Sequence, residues 1–230
     1  MRPTVLRAFA LALSSLTALA CQSGGHKTSM LVFGGSDAPQ EDLVETVRTA
    51  DEEALEARAD FDAAFTLYQR VTTPQVVELD DLADDFADAI ESCRERFEDL
   101  AARRTKIDKE AGALFQGWNE ELGRFSIELL REKSADMLAD TEKRTERVTK
   151  ALERLQTRME PVVKKLEDYS LFFHHNLNPR AIATLQDTYE DFDEEYRTLT
   201  GELEKARAEI AQFLANFEGP RPVADEPAKK

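Results

Sequence analysis

The chain has 230 residues, a formal charge of −16, nine glycines and two cysteines, and it is rich in Ala, Glu, Leu, Lys and Arg, the composition of long helices. Its length supports one domain with a core of its own. The acidic surface argues against nucleic acid and anionic lipid headgroups as partners. Nowhere does a convincing two-residue alternation of apolar and polar side chains appear, so no sheet is expected.

Residues 1–20 read as an export signal and fall outside the fold. Arg2 and Arg7 give a basic start, and "AFALALSSLTALA" is apolar but too short and weak to remain as a membrane helix. Ala20 then precedes Cys21. The stretch "TALACQSGG" resembles the lipobox of bacterial lipoproteins, in which the thiol after the cleavage site is acylated. Ala18 stands where Leu is usual, and an ordinary signal with a coincidental cysteine is the plainer alternative. Cleavage between Ala20 and Cys21 removes two arginines, leaving a charge of about −18. Each buried methylene of an acyl chain contributes about 0.8 kcal/mol, so lipid on Cys21, palmitate included, holds the protein on a membrane. After Cys21 no apolar run approaches the ~20 residues needed to span a bilayer. By analogy with lipoprotein sorting, Gln22 in place of Asp favours the outer over the inner membrane. The expected location is the periplasmic side of the outer membrane.

Residues 21–40 read as a flexible tether with Gly, Ser and Pro, in which "MLVF" could form a short apolar clip. Residues 41–218 carry the helical domain. Four seams of alternating three- and four-residue spacing run through it. The first is Val47, Ala50, Ala54, Ala57, Phe61, Ala64, Tyr68, Val71. The second runs from Phe86 through Ile90, Cys93, Leu100 and Ile107 to Trp118 and Phe125, interrupted by Arg104 and Glu121. The third runs from Leu138 through Thr145, Leu152 and Met159 to Phe173, and the fourth from Ile182 through Phe192, Leu199 and Ile210 to Phe217. These are a/d patterns, the period that keeps a narrow stripe against a partner helix. The expected fold is all-α: an elongated antiparallel coiled-coil bundle of about four long helices. Residues 219–230, with three prolines in a polar tail, read as disordered.

Pro74 ends the first helix. The second turn falls around "GRFSIELLREKS", near 126–134, where the seam loses phase and Ser126 or Ser134 could cap the next helix. Pro161 lies inside an unbroken stripe and should kink rather than end its helix. "NLNPRAIATL" reads as helix end, turn and helix start, with Asn176 left-handed, Asn178 as N-cap and Pro179 at the first helical position. The first helix and the start of the second are heavily acidic, and the stretch from Arg131 to Lys165 is rich in Lys and Arg. If the third helix lies against the first two, opposite signs meet beside the seams.

His174 and His175 then occupy the last turn of the third helix. Adjacent helical residues point about 100° apart, so the pair cannot hold one ion from a regular helix, and no Cys or second His pair completes a zinc set. No Glu-x-x-His pair of the di-iron kind occurs. No metal and no cofactor is expected. "DTYEDFDEEY" has the composition of a calcium loop, but its aromatics keep the heptad and mark a solvated helix face. Cys93 falls on an apolar stripe and reads as a small core residue. Phe172, Leu171 and Leu177 thicken the apolar surface near the bend; this is local core closure or, alternatively, a partner contact formed by Leu171, Phe172, His175 and Arg180.

"ALFQGWNEELGRFS" and "RMEPVVKKLEDYSLFFHHNLNPRAIATLQ", together with the lipobox start, resemble the bacterial domain-of-unknown-function family 2959. Its members are exported helical proteins of about this length, many with a lipobox. The resemblance covers most of the mature chain and implies a single helical domain, with no established activity or catalytic residues. A Lys more often stands at the position of His174, which further weakens a histidine-pair chemistry.

Two functions compete. The first is a non-enzymatic, membrane-anchored envelope lipoprotein, a helical scaffold that binds another envelope protein or its own copies; no catalytic residue is expected. The alternative is a small-ligand or metal-dependent protein with a polar site at 174–180, formed by His175, Asn176, Asn178 and Arg180, or with Arg104 facing Glu121 inside the bundle.

Overall fold

A computed structural model describes residues 38–73, 79–185 and 189–217. Five helices follow one another: α1 Ala38–Val71, α2 Leu79–Leu122, α3 Glu128–Asn176, α4 Pro179–Ala183 and α5 Tyr189–Leu214. Among the described residues there is no strand, in line with the missing two-residue period. The helices belong to one unit, Ser36–Lys230; the other unit, Met1–Gly35, lies outside the described residues and takes the expected signal, Cys21 and the "MLVF" clip with it. The expected tail 219–230 and Pro74 are also outside. α1 takes in the last three residues of the expected tether.

The seams are the core. Val47, Ala50, Ala54, Ala57, Ala64, Tyr68 and Val71 of α1 are fully buried, and Phe61 nearly so. Cys93, Leu100 and Ile107 of α2 meet Val148, Leu152, Leu155 and Met159 of α3, with Leu199, Leu203 and Ile210 of α5 closing the fourth side. The small residues of α1 let its backbone come close to its neighbours, whereas its two ends carry Leu43 and Tyr68. Burying a large apolar side chain contributes about 1.5–3 kcal/mol, so each seam outweighs the helix propensity of its segment.

Around the bundle the order is α1, α2, α3, α5: each of these packs against two neighbours, and the diagonal pairs scarcely approach. α3 lies between α2 and α5, so the condition that it lie against both α1 and α2 is met for α2 alone. Ion pairs fix the antiparallel registers. Arg103 reaches Glu53 (2.6 Å) and Arg96 reaches Asp60 (3.1 Å) between α2 and α1. Arg207 reaches Asp51 (2.9 Å) between α5 and α1. Basic side chains of α3 meet acids of α5, Lys165 with Glu195 at 2.5 Å and Arg147 with Glu209 at 3.5 Å. Exposed pairs contribute only ~0–1 kcal/mol each, so they select register rather than supply stability.

The α2–α3 turn lies inside the expected stretch, but neither expected serine caps it. The α2–α3 turn occupies 123–127, and the N-cap of α3 is Ile127, with no side-chain cap bond. Ser126 precedes that cap, and Ser134 is a helical residue that accepts a hydrogen bond from Trp118 Nε1 (2.8 Å). The fourth long helix is also interrupted: α4 is one short turn ending at Ala183, and the 26-residue α5 begins at Tyr189. α3 is continuous through Pro161, whose side chain is exposed.

Candidate functional site

The bend after α3 was the strongest polar cluster in the sequence. Asn178 caps α4 as expected, its Oδ1 accepting from Ala181 N (3.0 Å), with Pro179 at the first helical position. Asn176 departs from the expected left-handed turn. It stays helical and donates from Nδ2 to the Phe172 carbonyl (3.1 Å), which satisfies one of the free carbonyls at the helix end. Leu177 makes the turn with φ −74°. His174 and His175 are both exposed, with ring centroids 4.8 Å apart and nearly perpendicular planes. Arg180 is exposed as well. No group of three or more His, Cys, Asp or Glu among the described residues could hold a metal ion.

Beneath the bend lies an aromatic cluster built by all four long helices. Tyr68 of α1 packs against Tyr169 of α3 (4.6 Å) and Phe192 of α5 (4.9 Å), and Phe173 meets Phe86 of α2 (5.7 Å). Phe172 is half-buried beside Phe173, so it belongs to this closure, while Leu171 is 61% exposed. On the α1–α5 side, Arg58 Nε donates to both oxygens of Asp62 (2.9 and 3.1 Å). The Tyr196 hydroxyl donates to the same carboxylate, and its ring stacks on Phe65 (4.0 Å). Burial, then the hydrogen bond to Asp62, pushes the Tyr196 phenol up from its ordinary value of 10.0. Asp62 is thus engaged by both neighbours.

The other internal candidates resolve into packing. Arg104 and Glu121 lie on one helix about 25 Å apart at 1.5 Å per residue, so they do not face each other. Arg104 instead approaches Glu153 of α3 (3.6 Å). Cys93 is fully buried, and burial, with Asp60 nearby, pushes its thiol up to about 12. An open cleft between α3 and α5 is lined by Arg158, Pro161, Lys165, Asp191, Glu194 and Glu195, charges of both signs facing water. No helix among the described residues is long and apolar enough to cross a membrane.

A feature that sequence reading passed over lies at the α2–α3 turn. Phe125, Ile127, Leu129, Leu130 and Met137 are exposed there, Met137 by 63%. Its signal in the sequence is "IELL" directly after a turn, where the seam loses phase.

Fold and side chains together define an antiparallel all-α bundle whose seams are filled by one another. The chain belongs to the DUF2959 family of proteins of unknown function, whose model matches residues 34–217. No curated protein and no solved structure matches it.

Proposed function

We propose that the protein is a non-enzymatic envelope lipoprotein, anchored through acylated Cys21 in the outer membrane, whose helical bundle is a scaffold for contacts with another envelope protein or a second copy. The carrying observation is the joint one of "TALACQSGG" at the start and, after it, a bundle whose buried side chains are engaged with each other. The polar clusters support the same reading, because Arg58–Asp62–Tyr196, Arg103–Glu53 and Arg207–Asp51 join helices and fix register. At the bend, Leu171, His175 and Arg180 are exposed and Phe172 is half-buried, which leaves them open to the proposed protein contact. Among the described residues the two exposed histidines have no third ligand beside them, so nothing there favours the metal-dependent alternative.

Growth with an alkyne fatty acid tests the anchor. The wild-type chain is expected to take up label and sediment with membranes. Cys21→Ser is expected to do neither, and label retained by Cys21→Ser would refute the assignment.

A further inference from the structure

The exposed apolar residues of the α2–α3 turn sit at one particular end of the bundle. The pairs Arg103–Glu53 and Arg96–Asp60 set α1 antiparallel to α2, so the first turn of α1 falls beside the Trp118 turn of α2. Arg147–Glu209 and Lys165–Glu195 set α5 antiparallel to α3, so the end of α5 at Leu214 falls near Glu142–Glu146. Beyond those levels α2 and α3 continue as a pair, and among the described residues no third helix covers them. Ile127, Leu130, Ser134 and Met137 keep helical spacing on α3, and Trp118, Leu122 and Phe125 continue the stripe from α2.

This end is also where the chain enters the bundle. Only residues 22–37 separate Cys21 from Ala38. A stretch of that length reaches about 60 Å fully extended, and a coil of that length averages about 20–25 Å. α1 alone is about 51 Å long, so an anchor at Cys21 favours the α2–α3 turn as the end nearest the bilayer. Charge permits the approach. Within 119–138, Glu120, Glu121, Glu128, Glu132 and Asp136 stand against Arg124, Arg131 and Lys133, a net −2 on a chain of −16.

We propose that the α2–α3 turn is a second membrane contact: Phe125, Ile127, Leu129, Leu130 and Met137 enter the interfacial layer of the bilayer that holds Cys21, and Arg124, Arg131 and Lys133 extend to the headgroups. This rests on the anchored reading above, which supplies the nearby bilayer. Insertion is driven by apolar burial, so it requires no anionic lipid. A membrane contact at this turn orients the opposite end, with Leu171, His175 and Arg180, away from the surface.

The test uses the acylated mature chain in vesicles of phosphatidylcholine and phosphatidylethanolamine, with an environment-sensitive fluorophore on Leu130→Cys or, as control, on Leu171→Cys. Cys21 is blocked by lipid and Cys93 is buried, so labelling is confined to the new thiol. At 130 the emission is expected to shift to the blue and to be quenched by lipids spin-labelled in the acyl region; at 171 it stays aqueous. An aqueous probe at 130 on the anchored protein overturns the proposal. So does a probe at 130 already shielded without vesicles, which marks a second copy or another part of the chain as the occupant; sedimentation separates those two. Intact mass records acylation separately. If Cys21 is free, the same probes are read on Cys21→Ser with excess vesicles, where shielding at 130 upholds the contact and its absence ends it. In that soluble form Ile127→Asp with Leu130→Asp is expected to lower vesicle partition at least about tenfold, with the melting temperature unchanged because both residues are exposed.

Discussion

The thiol of Cys93 is enclosed by core side chains and pushed up to about 12, mainly by burial. A thiolate is the reactive form, so native protein at pH 8 should leave Cys93 unmodified by an aromatic disulfide reagent and react fully in denaturant; rapid native labelling would contradict the packing. Tyr196 supplies a pH test. Its folded value lies above 10.0, so its stabilisation is present in full below about pH 10 and is lost as the pH rises beyond that. Tyr196→Phe should cost about 1 kcal/mol at neutral pH and flatten the alkaline fall in stability, measured by urea unfolding at pH 7 and 11. Arg103 and Glu53 form the least exposed of the interhelical pairs, with two nitrogens on one carboxylate. Arg103→Met should destabilise by about 1–3 kcal/mol because Glu53 is left partnerless, and adding Glu53→Leu should restore part of it. A double variant weaker than the single would contradict that account.

Element by element, the helices were legible because each seam keeps one period for many turns. Cys93, Phe61 and Leu152 all stand where the pattern placed them. Two kinds of information were not there. Stripes reveal that a helix has a partner, not which one, so the neighbour order α1–α2–α3–α5 had to come from the packing. The α2–α3 turn lies inside the stretch where the seam loses phase, but its cap was not legible: Ser126 and Ser134 are the residue type that caps helices, while the cap itself, Ile127, is apolar and makes no side-chain bond. The same apolar run hid the exposed cluster. The bend was easier, since Asn178 and Pro179 have strong positional preferences, although Asn176 found a carbonyl of its own helix instead of a left-handed turn. Helix interiors carry correctable costs. A methyl group at Gly112, Gly117 or Gly201 meets nothing within 4 Å, so each Gly→Ala should stabilise by about 0.5–1 kcal/mol. Pro161 lacks the N–H that would bond the Thr157 carbonyl, and Pro161→Ala should raise the melting temperature; a fall would mean that the proline shapes α3 to fit its neighbours.

For the whole molecule, length and charge distribute the roles. α3 alone spans about 74 Å, with the α2–α3 turn at one end and the 174–180 bend at the other. The first end holds exposed apolar side chains beside the start of α1; the second is closed by aromatics and presents polar groups. Protection should follow the packing: amides of 119–137, in a two-helix segment, should exchange faster than those of 86–107 and 148–166 in the four-helix part. Equal protection would require a covering partner at the turn. The proposed function depends on the lipid at the front of the chain, and one measurement addresses it directly. Intact mass of the protein extracted from the outer-membrane fraction should correspond to a chain beginning at Cys21 and carrying acyl groups. A soluble chain with an unmodified Cys21 would contradict it.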